Sequence, residues 1–334
     1  MSKSLIFAFA TASPSTRPLY VLRPDEVATF RTEQGAAWAE WLTATDFEAG
    51  LGEVRLLPGK DGGVAGAVVG YGSAQARRRT RFGLAKAVAG LPAGDWALQG
   101  TLDQGERTEA ALAWLLSAYR FDRYRPGRKP AAETRLVCPE HVDPERLIAM
   151  AEAEALTRDL INTPAEDMGP AELETAFLDL AAGFGATTEV IRGEDLLTRG
   201  FPMIHAVGRA SPRVPRLLDM RWGSAGPKLT LVGKGVCFDT GGLNLKPSAG
   251  MSLMKKDMGG AATVIGLARM IMSLGLAVQL RVLVPAVENL VSGTSIKPKD
   301  ILTSRKGLTV EVNDTDAEGR LILGDALVYA CEGS

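Results

Sequence analysis

The run Val278-Gln279-Leu280-Arg281-Val282-Leu283-Val284-Pro285 is apolar almost throughout, the pattern of a strand covered on both faces. A helix over Val264–Leu274, entered through Gly259-Gly260-Ala261-Ala262, precedes it. Farther upstream, Leu217–Arg221 and Leu229–Val232 read as strands; downstream come a strand at Leu308–Val312 and a helix over Arg320–Cys331. This half is therefore expected to form a mixed sheet flanked by helices. A long helix over Asp143–Leu160 stops at Asn162-Thr163-Pro164, because proline disfavours helical geometry in the residue before it. Pro170 then opens a helix ending near Gly183.

The first part of the chain alternates strand and helix patterns. Strands are expected at Leu5–Ala10, Val54–Leu57, Gly66–Tyr71, Trp96–Leu98 and Thr134–Cys138, and helices near Val27–Leu42, Ala74–Ala89 and Glu106–Tyr119. The turn-rich Pro126-Gly127-Arg128-Lys129-Pro130-Ala131-Ala132 marks the edge of this region. The expectation is an α/β protein of two domains, a smaller one at 1–140 and a second at 141–334.

Composition narrows the chemistry. The 334 residues carry 38 Lys+Arg against 39 Asp+Glu, a net charge of -1 that draws the chain neither to nucleic acid nor to acidic membranes. Cys138, Cys237 and Cys331 are too few and too scattered for a disulfide framework or a thiolate zinc site. His141 and His205 are the only histidines, which excludes a His-cluster metal site and disfavours Ser-His-Asp chemistry. At the amino terminus, Lys3 and Leu5–Ala10 imitate a secretory signal. The apolar stretch is shorter than the roughly 7–15 residues such a signal needs, so a buried strand and a cytoplasmic location are expected. No window reaches the ~18 apolar residues of a membrane span.

What remains is carboxylate and lysine chemistry. Gly233-Lys234-Gly235-Val236-Cys237-Phe238-Asp239-Thr240-Gly241-Gly242 follows a strand, but its spacing fits neither phosphate-binding fingerprint, and Asp239 would repel phosphate. Lys234, Asp239, Lys246 and Asp257 cluster at expected strand ends and loops, and Asp314-Thr315-Asp316-Ala317-Glu318-Gly319-Arg320 follows another strand. In an extended segment Asp316 and Glu318 would point to one side. Four converging carboxylates repel unless divalent cations neutralise them. Taken singly, each residue has a plainer role: Asp239 in a turn, Asp257 at a helix start, Lys234 and Lys246 at the surface, the 314–320 acids as an exposed run. A calcium loop is a competing pattern, with Asp314, Asp316, Glu318, Gly319 and Asp325 at its positions 1, 3, 5, 6 and 12. Against it, the incoming segment reads as a strand and position 12 lacks Glu.

The motifs together resemble the leucyl (cytosol) aminopeptidase family of metallopeptidases. The resemblance rests on 233–242, Lys246-Pro247-Ser248, Asp257-Met258-Gly259-Gly260-Ala261-Ala262 and Asp314–Leu321, with support from Ile161–Ala165, Pro285–Asn289 and Val291-Ser292-Gly293. It implies that residues 141–334 are a catalytic domain and that the chain removes amino-terminal residues from peptides with two metal ions. Lys234, Asp239, Asp257 and Glu318 would hold the tighter ion, and Asp239, Asp316 and Glu318 the more exchangeable one. Manganese or zinc, and also magnesium or cobalt, suit such a set. A metal-bridging water would be the nucleophile, Lys246 would polarise the scissile carbonyl, and Arg320 would hold a bicarbonate-like base. Asp257, Asp314 and Lys246 would contact the substrate, with Asp257 receiving its free amine. A cytoplasmic hexamer acting on peptides is implied as well.

Departures from the family pattern shape further expectations. Asp314 stands where Asn is usual, Cys237 where Thr is common, and Lys299 replaces a turn glycine that a type I turn would allow. Family members continue beyond the final helix, so a chain cut short at Ser334 is expected, with part of the side-chain pocket and the subunit contacts lying past it. The alternative function is a catalytically inactive family member acting as a binding or scaffold protein.

Overall fold

The computed structural model describes residues 7–125 and 133–332, forming two compact α/β units that part at Glu152 and Ala153, inside the helix Pro144–Asn162. The sequence put the change of domain within this helix or just before it, around residue 140. Among the described residues no helix is long and apolar enough to cross a membrane.

The first unit is built on a sheet ordered β2-β3-β1-β4-β5 from β1 (Arg17–Leu22), β2 (Val54–Pro58), β3 (Val64–Gly70), β4 (Gly94–Gln99) and β5 (Thr134–Leu136). Only β2 runs antiparallel to its neighbour. The sequence missed β1 and placed the first strand at Leu5–Ala10 instead. Of that stretch, Leu5 and Ile6 lie outside the described residues, and Ala10 makes a single parallel bridge to Val137. The segment 126–132 also lies outside them. The helix expected over Val27–Leu42 is two, Val27–Glu33 and Ala36–Ala44, because Gly35 between them takes φ +88°. Ala74–Ala89 likewise divides into Ala74–Arg79 and Ala85–Val88.

In the second unit, β6 (Thr187–Arg192), β7 (Arg216–Trp222), β8 (Lys228–Val232), β9 (Gly235–Asp239) and β10 (Gln279–Asn289) form a mixed sheet in which β10 is central. It pairs antiparallel with β7 and parallel with both β8 and β9. Every β10 residue after Gln279 is buried. Leu280, Val282, Val284 and Ala286 join a core with Leu173, Phe177, Ile265 and Ala268, from the helices Pro170–Gly183 and Gly259–Ser273. Val287 joins a second core with Ile204, Val207, Ile322 and Ala326, from the helices Pro202–Gly208 and Gly319–Cys331. The apolar run thus has helices to bury it on both sides. Its single charge, Arg281, is buried with Asp219 of β7 at 2.7 Å and stacks over the Tyr329 ring at 4.3 Å.

The sequence did not foresee β9. Its glycines look like loop, but a Cβ at Gly235 would lie 2.5 Å from the Pro285 oxygen, so glycine is what lets this strand press against β10. β11 (Ile301–Thr303) and β12 (Thr309–Glu311) form a separate hairpin. The type I turn expected at Lys299 is not formed. That residue sits at φ +76°, a left-handed geometry that costs a non-glycine residue about 1–2 kcal/mol. Its backbone N–H donates to Val312 (2.7 Å) and its ammonium reaches Glu311 (2.8 Å), which hold it there.

Close helix packing also makes a stability prediction. At Gly266 an added Cβ would come 2.0 Å from Thr157 Oγ1 and 2.9 Å from the Ala153 carbonyl. Gly266→Ala gains up to about 1 kcal/mol of helix propensity, but the clash costs more, since one of the atoms is backbone. A net loss of roughly 1–2 kcal/mol is expected. A thermal melt with Tm unchanged or raised would count against this packing.

Candidate functional site

The parallel strands β9 and β10 end side by side, with Asp239 opposite Asn289. Lys234 lies in the short link between β8 and β9. Past Asp239 the chain doubles back through Gly241 and Gly242, at φ +89° and +63°, which returns Lys246 to within a hydrogen bond of Thr240 (N to O, 2.9 Å). Asp257 sits in the 3-10 turn Met254–Met258 that leads into Gly259–Ser273. Asp316 lies in a second such turn, Thr315–Ala317, and Glu318 directly precedes the helix Gly319–Cys331. The segment is therefore not extended, as the sequence suggested. The tight turn, not alternation along a strand, lets its two acids converge.

They converge on Asp239. Asp239, Asp316 and Glu318 each offer an oxygen within 4.8 Å of the others. Lys246 Nζ pairs with Asp239 Oδ2 at 2.9 Å and with Asp316. Lys234 Nζ lies 2.7 Å from both Asp257 Oδ2 and Glu318 Oε1. Two ammonium groups thus stand among four carboxylates, which leaves negative charge in excess. Glu318 is fully buried; the Lys234 ammonium faces its Oε1 and Asp257 Oδ2, while no donor among the described residues reaches Glu318 Oε2. A buried carboxylate oxygen with no donor is costly unless a cation completes the site.

The electrostatics agree. Burial, with Asp239 adding to it, pushes the Glu318 carboxyl above the usual glutamate value against the pull of Lys234. Burial opposes the charge on Lys234, yet Asp257 and Glu318 outweigh it and hold the ammonium above the ordinary lysine value. Lys246 is raised in the same way, with Asp316 and Asp239 overcoming burial. The pocket around Lys234 leaves no slack, since a Cβ on Gly319 would meet its Cε at 2.7 Å.

Two residues named from the sequence stand apart. Arg320 is exposed and, among the described residues, makes neither a hydrogen bond nor an ion pair. Asp314 is exposed and caps the turn, with Oδ1 accepting from the Asp316 N–H at 2.9 Å. The calcium-loop alternative fails. Its second half is the helix Gly319–Cys331, and Asp325 faces away from the acids, accepting from the backbone N–H groups of Met203 (2.8 Å), Ile204 (3.4 Å) and Arg305 (2.8 Å). Asn289, Thr315 and Asn244, which join the two acid-bearing loops, carry no charge and were not singled out as site residues.

Comparisons with known proteins agree on one family. A model described as the cytosol aminopeptidase family, catalytic domain, matches residues 155–334, and one for the M17 aminopeptidase N-terminal domain matches 17–139. The "Probable cytosol aminopeptidase" of Rhodococcus opacus is 38% identical over 285 residues, covering 79% of this chain and 56% of its own length. The match therefore spans little more than half of that relative. The crystal structure of cytosol aminopeptidase from Coxiella burnetii is 40% identical, with a TM-score of 0.89 over 96% of this chain and 69% of that one. The bottromycin maturation enzyme BotP, solved in complex with Mn, is 32% identical, with a TM-score of 0.82 over 96% and 70%.

Proposed function

The chain belongs to the cytosol aminopeptidase family, and from that premise we propose that it is a metal-dependent aminopeptidase that hydrolyses the first peptide bond of substrates with a free amino terminus. The observation that carries the reading is the convergence of Asp239, Asp316 and Glu318, with the buried Glu318 Oε2 left without a donor. Those three, with Asp257 and Lys234, would hold two divalent cations, Lys234 as a neutral amine whose proton the incoming cations would displace. Carboxylate and amine donors suit manganese, zinc, magnesium or cobalt. The Mn complex of the similar BotP supports the first of these.

Cations bound there would act as Lewis acids and lower the pKa of water enough for attack at neutral pH. The protein's own groups supply the rest. Asp257 would receive the substrate's α-ammonium, fixing the distance from the amino terminus to the cleaved bond and so restricting the enzyme to exopeptidase action. The Lys246 ammonium, held charged among acids, would stabilise the negative charge that develops on the carbonyl oxygen. Arg320, without a partner among the described residues, would hold a bicarbonate-like anion as proton acceptor. Asp314 would line the substrate side. A cytoplasmic hexamer belongs to the same proposal, on the family's pattern.

The test is release of leucine from leucine amide. We expect no turnover in chelator and recovery on adding manganese or zinc. Silence from folded protein with metal bound would overturn the reading in favour of a binding role.

A further inference from the structure

We infer that Asn289 and Thr315 form a buried clamp that positions the acidic ligands, a role resting on the metal-centre reading above. Asn289 ends β10 and is 2% exposed, and its Nδ2 donates to Asp239 Oδ1 at 2.9 Å and to the Thr315 carbonyl at 3.0 Å. The Gly241 N–H adds a second bond to the same Asp239 oxygen at 2.8 Å. One oxygen of Asp239 is thereby fixed by neutral donors, and the other, Oδ2, is directed to the side where Lys246 stands.

Thr315, fully buried, ties down the opposite loop. Its hydroxyl donates to Gly241 O (2.7 Å) or Asn244 Oδ1 (2.9 Å) and accepts from the Asn244 N–H (2.8 Å), while its own N–H reaches Asn244 Oδ1 (3.1 Å). A single amide group therefore orients Asp239 and pins the peptide directly before Asp316. These are positioning residues, joining two ligand loops that lie far apart in the chain. A carboxylate whose orientation is fixed binds a cation without first giving up rotational freedom, and losing such outer contacts typically weakens metal affinity 10–100-fold.

The experiment is calorimetric titration of the whole chain with MnCl2, comparing the parent, Asn289→Ala, Thr315→Val and the core control Val284→Ala, each with its metal-free melting temperature. We expect Asn289→Ala and Thr315→Val to bind Mn at least about tenfold more weakly. Val284→Ala should lose stability while keeping affinity within about threefold, which separates positioning from general loosening of the fold. Parent-like affinity in Asn289→Ala overturns the inference. So does an equal loss in Val284→Ala. If Asn289→Ala does not fold, Thr315→Val decides alone, because it keeps the buried volume and the carbonyl that Asn289 binds. A parent chain that binds no Mn overturns the metal-centre reading together with this one.

Discussion

Glu318→Gln is expected to lower kcat/KM by a thousandfold or more, equivalent to about 4 kcal/mol of transition-state stabilisation. The substitution keeps the size of the side chain and removes its charge. Glu318, like Asp239, is common to both proposed cation positions, and beyond the Lys234 ammonium its oxygens have no donors to lose. An amide there would also bring an NH2 group close to the Lys234 ammonium. The metal-free protein should respond in the opposite direction. Burial already drives the Glu318 carboxyl toward its neutral form, so a neutral side chain relieves a cost of folding. Activity and stability are therefore expected to part: turnover lost, and metal-free Tm held or raised. Turnover within tenfold of the parent would sink the assignment of Glu318. A large fall in Tm would show instead that the ion pair with Lys234 holds the fold together.

The second large effect is on stability. Asp325→Ala should cost about 3 kcal/mol, roughly 6–12 °C in Tm for a unit of this size. Asp325 is fully buried, and its two oxygens accept three backbone N–H groups. Two of these open the helix Pro202–Gly208 and the third comes from the β11–β12 turn. Burial still raises the carboxyl above the ordinary aspartate value, so its charged form has a desolvation cost. Alanine would remove that cost but strand three buried donors at about 1–3 kcal/mol each, and the donors win. The raised value also sets a sign. Stability from this group falls as pH rises from about 3.8 through the folded value, a slope the alanine variant should lack. A melt within 2 °C of the parent would contradict the triple-acceptor role.

The sequence showed most plainly what folding could not conceal. Charged residues at the ends of strands are conspicuous, and the apolar run of β10 demanded a sheet with two covers. Glycine misled twice. At Gly235 it serves a close approach of strands that local pattern reads as a loop, and Gly35 divides what looked like one helix. Asp316 and Glu318 do converge, but for a reason other than alternation, because a 3-10 turn has no period-2 signature. The Asn289–Thr315 clamp was illegible for a different cause. Its residues are neutral, small and ordinary for strand ends and turns, and only contacts between distant segments give them a task.

The Arg281–Asp219 pair has a bearing on how β10 finds its place. In the native sheet Arg281 lies opposite Arg221, and Asp219 opposite Leu283, so the pair joins diagonally across β7 and β10. A slip of one residue would turn the guanidinium to the wrong face and leave it desolvated without its carboxylate, at a cost of several kcal/mol. The pair is a proof-reader for assembly. What it checks is felt at the far end of the strand, where the same slip would carry Asn289 past Asp239. The fidelity of the acidic centre is thus set eight positions away, by a contact that touches none of the chemistry.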